Sequence, residues 1–313
     1  MRPAFSVVFL TTLIGAGQGH FVALYAAEAG AVLGLVEAPP ATRFFVVGSA
    51  FALALAVLGL FASFFHLGRP ERAWRSAAMW RTSWLSREVI ALPAFMVSVA
   101  AYGAAHHFGW GHTAVLGALA LGACLALFFC TAMIYACIKF LQEWASPFTI
   151  ANFFLMGCAS GFTLAVPLAA ALAPPLGWPY AIAAVVLTLA ALGTRLASLA
   201  RNARIRPKSS LQSAIGVRHS QIKQQTQGFM GASFNTIEFF HGASAEDMRA
   251  VRNAFLQLAF VLPILLTVGG MKAGSVAVLA AAFAVQYAGL VVERWFFLAQ
   301  SNHPQNLYYQ SVA

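Results

Sequence analysis

The chain has 313 residues, of which 60% are hydrophobic and only 9% charged, with a formal net charge of +10 and a mean hydropathy of +0.76. A water-soluble domain carries roughly a quarter charged residues, so this balance excludes an ordinary soluble enzyme. It also excludes a nucleic-acid reader, which needs a folded basic module, and makes the net charge a matter of membrane topology and anionic lipid.

Uncharged apolar runs recur at the length that crosses a bilayer, about 20 helical residues. They cover 3–27, 44–65, 89–105, 113–138, 148–173, 178–194, 253–271 and 273–292. The expected fold is an all-α integral membrane protein with eight transmembrane helices in one bundle, a single transmembrane domain over 1–313. Continuous rather than alternating apolarity argues against a β-barrel.

The first run starts beside a basic Arg2 but is too long for a cleaved leader and lacks a clear small-x-small site, so it is expected to remain as the first helix. Its Gly15, Gly17 and Gly19 suit close helix packing. No strand precedes them, so a phosphate-binding loop is excluded.

Between the second and third runs lies Phe65-His66-Leu67-Gly68-Arg69-Pro70, then Arg81-Thr82-Ser83-Trp84-Leu85-Ser86-Arg87-Glu88. Antiparallel helices put His66 and Glu88 at the same membrane edge. Ionisable groups there are costly unless paired or used. Helix capping by Ser86, a helix-dipole role for Glu88 and interfacial anchoring by the tryptophans account for much of this segment. The pair together also suits proton exchange with a quinol, which loses two protons with its two electrons.

The 195–252 segment is read as a long basic extramembrane loop. It carries Arg201, Arg204, Arg206, Lys208, Arg218 and Lys223, with aromatic-glycine runs at 228–234 and 239–242 that suit docking of a partner. Leu211, Ile215 and Ile222 would form a weak surface stripe. The N-terminus, the 2–3, 4–5 and 6–7 loops and the C-terminus hold 1, 5, 1, 9 and 1 Lys/Arg, against Arg43 and Lys272 on the other face. Basic residues favour the cytoplasm, so both termini are expected there, in a bacterial inner membrane.

Cys124, Cys130, Cys137 and Cys158 all fall inside apolar runs without metal-binding or haem-attachment spacing, so they are read as packing residues.

His66-Leu67-Gly68-x-Pro70, the basic-aromatic run after it and the Leu85-Ser86-x-Glu88 helix start resemble the dimethyl sulfoxide reductase membrane-anchor subunit family. The helix count agrees over most of 1–194 and 253–298. That resemblance implies a menaquinol-oxidising subunit in anaerobic electron transport. It implies two partners, a four-cluster ferredoxin-like iron–sulfur subunit and a molybdopterin catalytic subunit. It implies no haem or metal in this chain, and it carries a quinol role onto His66 and Glu88. Arg69 and Arg87 are candidates for tuning or holding that site, and Trp84 for lining it, in a cleft between the second and third helices. The family is often described with its quinol site at the outer edge; the charge count places the hinge inside.

Two other classes stay open. A haem b subunit needs paired histidines at one depth, for which His20 and His106 are the candidates; His107 and His112 are read as solvated. A secondary transporter needs internal repeats and acidic residues at helix centres, whereas Glu28, Glu37, Glu143 and Glu293 are read as edge residues.

Overall fold

A computed structural model describes residues 3–35, 40–222 and 243–304. The aromatic-glycine runs, Lys223, Glu37 and Arg2 lie outside the described residues. Those described contain no strand, and eight of their helices are long and apolar enough to span a membrane. The helices are α1 (Phe5–Val32), α2 (Thr42–Ser63), α3 (Trp84–Phe108), α4 (Thr113–Ala136), α5 (Pro147–Leu172), α6 (Gly177–Asn202), the short α7 (Leu211–Ile215), α8 (Ala245–Leu256), α9 (Leu262–Ala273) and α10 (Val276–Ala299). α8 and α9 join through a π turn, Gln257–Val261, into one span. The protein is a multi-pass membrane protein.

Glycine positions α1 at the centre. A Cβ at Gly161 of α5 would collide with the backbone of Gly19 and His20, and one at Gly19 with Gly157. The two backbones therefore touch, as small residues permit in lipid, where dispersion contacts drive helix association. α1 is the most enclosed span together with α5. Around them Phe21, Phe95 and Tyr102 pack edge to face.

The π turn has a local cause. Pro263 has no N–H to give to the carbonyl of Ala259, four residues back, so an acceptor is freed inside the bundle. Gln286 of α10 fills the gap, donating from Nε2 to Ala259 O at 3.3 Å. Gly289, one turn on, lets α10 approach that same backbone.

The helices overrun the apolar runs because polar and charged residues also enter them. α3 begins at Trp84, and Ser83 rather than Ser86 caps it, its Oγ accepting from Ser86 N at 3.3 Å. Glu88 thus stands in the second turn, inside the helix. α6 continues to Asn202, so Arg195 is a helix residue and not the start of a loop. The surface helix reaches only from Leu211 to Ile215, and Ile222 is not part of it. Cys124 and Cys130 are buried and Cys158 half-buried; Cys137 ends α4 and is exposed, contrary to its expected packing role.

An even number of spans brings the start of α1, the end of α10, the 64–83 hinge, the α4–α5 connection and the described part of the α6–α8 connection to one face. Arg195 and Arg294 lie within the bundle, and Arg2 and Lys223 lie outside the described residues, so of the 17 basic residues assigned to this face 13 are described there, against two opposite. The asymmetry survives.

Candidate functional site

Glu88 points into the bundle. Its Oε1 accepts a 2.5 Å hydrogen bond from Thr131 Oγ of α4. Both line an internal cavity walled by α1, α3, α4, α5 and α10, where Gln18, Ser160 and Arg294 supply the other main polar groups. Leu10, Ile14, Phe128, Phe153 and Leu290 supply the apolar wall. The cavity is narrow: about 20 Å³ of it admits the centre of a water molecule, room for roughly one water, while its atom-free space including open solvent is about 460 Å³. Apart from Ser160 at mid-helix, the wall residues lie in the half of each helix nearest the terminal, basic face.

The groups around Glu88 are held by their neighbours. Gln18 Nε2 donates to Cys124 O at 2.9 Å, and Ser160 Oγ to Gly157 O at 3.0 Å. Arg294 is buried, with its guanidinium 3.8 Å over the Phe153 ring and 5.3 Å from that of Phe297. Its Nε–H has no acceptor. Next to it in sequence, Glu293 faces Arg195 at 2.8 Å, both fully enclosed. The Arg195 nitrogens lack aligned hydrogen bonds, so this is a charge contact.

Glu293 and Glu28, expected at edges, are therefore buried acids. Each is tolerated because a cation or imidazole faces it: Arg195 for Glu293, and His106 at 3.5 Å for Glu28. Neighbouring sequence held no sign of this, since the partners are about 100 and 80 residues away. An arginine next to a glutamate just past the last apolar run was the one available signal.

The hinge residues go elsewhere. His66 is exposed, with Nδ1 3.2 Å from Ser6 Oγ near the start of α1, and is not among the residues lining the Glu88 cavity. Arg87 donates from Nε to Trp80 O at 2.8 Å and from Nη2 to Arg81 O at 2.7 Å, and its guanidinium lies 4.1 Å over Trp84. Trp84 meets Phe129 edge to face. Arg87 and Trp84 thus clasp the turn into α3. Arg69 is exposed, just before the 3₁₀ segment Pro70–Met79. The structure joins Glu88 to α1, α4, α5 and α10, rather than to His66 in a cleft between α2 and α3.

His20 and His106 have separate surroundings. His20 Nδ1 is 3.4 Å from Gly161 O, with the ring edge-on to Phe51, whereas His106 stacks on Phe45. His107 and His112 are exposed.

A family profile described as DMSO reductase anchor subunit (DmsC) matches residues 1–309. The C subunit of sulfite dehydrogenase from Allochromatium vinosum is 53% identical over 326 aligned positions, which cover 100% of both chains. With the eight-span bundle, these matches show that the chain belongs to the DMSO reductase anchor subunit family and is a membrane anchor subunit of an oxidoreductase complex.

Proposed function

We propose that this chain exchanges electrons and protons with a membrane quinone at the Glu88 cavity, as the anchor of a molybdopterin enzyme whose electrons pass through an iron–sulfur subunit. The observation that carries this reading is that a buried carboxylate and a buried guanidinium line one cavity, on the face where the basic loops gather.

A quinone taking up two electrons must take up two protons, and the reverse reaction releases both. Glu88 is the group placed to pass a proton at a ring oxygen, held by Thr131. Arg294 is the donor for that oxygen as negative charge grows on it, a role that enclosure strengthens because little water competes for the charge. A ring enters edge-on from the mouth, with one oxygen reaching the polar groups and its tail in lipid. The basic face suits the cytoplasm of a bacterial inner membrane, so the protons are exchanged there.

The relative's name favours electron flow towards the quinone. Sulfite and water give sulfate, two protons and two electrons at the catalytic subunit; the quinone then becomes quinol with two electrons and two protons. Menaquinol oxidation for dimethyl sulfoxide reduction runs the same site backwards and is favoured by the family description alone. The test is to isolate the tagged chain with its partners in lipid nanodiscs. Sulfite-driven reduction of a short-chain quinone supports the first direction. Dimethyl sulfoxide-driven oxidation of a short-chain quinol, without the sulfite reaction, supports the second. A chain that isolates alone and drives neither would overturn the reading.

A further inference from the structure

The hinge between α2 and α3 carries four arginines, Arg69, Arg72, Arg75 and Arg81, against one acid, Glu71, and all five are exposed. Glu71 lies 3.8 Å from Arg72 in open solvent, where such a contact offsets little of the charge. The chemistry proposed at Glu88 uses none of them.

The 3₁₀ segment Pro70–Met79 packs chiefly on α3, and its two half-buried residues are the small Ala73 and Ala77. The longer side chains are therefore left outside. A 3₁₀ helix turns every three residues and rises about 2 Å per residue, so Arg72 and Arg75 stand on one edge about 6 Å apart. Trp74 opens the next edge and Trp80, at the C-terminal cap, continues it; they are 75% and 52% exposed.

This segment is held at the bilayer edge. Three residues tie its start to the end of the α2 span at His66, and four tie its end to α3 at Trp84. A chain reaches at most about 3.6 Å per residue, so both ends stay near the level where the spans emerge. The neighbouring surface is apolar: Phe61, Phe64 and Phe65 close α2 and Leu85 opens α3, all exposed. An acidic protein bound from the water side would cover the arginines and leave these side chains bare. A lipid leaflet covers both, and tryptophan is favoured at its head-group level. Basic clusters beside a span attract anionic head groups, and two guanidinium forks one turn apart converge on a single phosphate.

We propose that this hinge is a binding site for an anionic phospholipid, with Arg72 and Arg75 holding the phosphate and Trp74 and Trp80 lying beside the glycerol and upper acyl chains. Arg87 donates to the carbonyls of Trp80 and Arg81, so a lipid held here fastens the turn that leads into Glu88. The inference rests on no part of the quinone reading.

The experiment is native mass spectrometry of the purified complex in mild detergent, titrated with phosphatidylglycerol or, as the neutral control, phosphatidylcholine. Phosphatidylglycerol is expected to be retained in preference. Arg72→Gln with Arg75→Gln is expected to weaken its retention at least tenfold, and Arg72→Lys with Arg75→Lys, which keeps charge without the forks, by less. Arg43→Gln with Lys272→Gln, on the opposite face, is expected to leave the hinge site as it is. An unchanged unfolding midpoint shows that each variant still folds. Equal retention of the two lipids, or a glutamine double variant that holds phosphatidylglycerol as the wild type does, overturns the proposal. Loss of partner subunits from that variant with lipid retention unchanged assigns the arginines to an acidic protein and overturns it equally.

Discussion

The guanidinium of Arg195 meets the carboxylate of Glu293 at 2.8 Å, with both side chains sealed from solvent between α6 and α10. Phe255 and Phe296 flank the arginine at 5.5 and 5.9 Å. Removing one partner leaves the other charge buried alone, which costs about 3–5 kcal/mol. Glu293→Ala is therefore expected to lower the unfolding midpoint sharply, measured by thermal denaturation in detergent. Arg195→Met with Glu293→Leu, which removes both charges, is expected to recover most of the loss. A double variant no better than the single one would show that the pair is not the source.

Glu88 and Thr131 form the shortest polar contact within the cavity. Glu88→Gln keeps the shape and removes the exchangeable charge, so quinone turnover is expected to fall at least tenfold while electron delivery to a soluble dye is kept. Thr131→Val removes a charge-assisted bond worth about 1.5–3 kcal/mol and is expected to lower turnover less than Glu88→Gln. Full turnover in Glu88→Gln would remove the residue from the chemistry.

Arg294 has a buried Nε–H without an acceptor beside the cavity. Arg294→Met is expected to raise the KM for quinone at least tenfold with the complex intact. Arg294→Lys restores the charge but not the fork of N–H donors, so partial recovery is expected. An unchanged KM in steady-state assays of the methionine variant would leave Arg294 a packing residue.

Gly161 has backbone where a side chain would go. Gly161→Val is expected to abolish the α1–α5 contact and with it the accumulation of folded protein, as seen by size-exclusion chromatography in detergent. Gly193, whose Cβ position is open, is the control and is expected to tolerate alanine.

Glu143 lies in the α4–α5 connection, outside the spans, where burial raises its carboxyl above the usual range despite nearby Arg201. Arg201 pins the same connection through Gln142 O and Ala145 O. A carboxyl raised on folding binds its proton more tightly when folded. Its penalty is complete above the folded value and absent below the unfolded one, so this contribution to stability improves as pH falls. Glu143→Gln is expected to raise the unfolding midpoint at neutral pH and to match the wild type in acid. Equal midpoints at both pH values would contradict this.

Eight spans, their order and the basic bias of one face follow from local composition: a bilayer rewards about 20 consecutive apolar residues whatever their neighbours. The close approach of α1 was legible in Gly15, Gly17 and Gly19, and Glu88 stood out as a carboxylate beside an apolar run. Helix ends were less legible, because Ser83 caps where Ser86 was expected and α6 carries a charged residue through its last turns. What Glu88 faces was not legible at all. Residue type says that a buried acid needs a partner, but choosing among Thr131, Arg294 and the hinge histidine depends on which helices touch. The same holds for Arg195 with Glu293 and for His106 with Glu28, pairs about 100 and 80 residues apart. Hydropathy acts locally and can be read along the chain; electrostatic pairing acts through space, and only the packed bundle decides it.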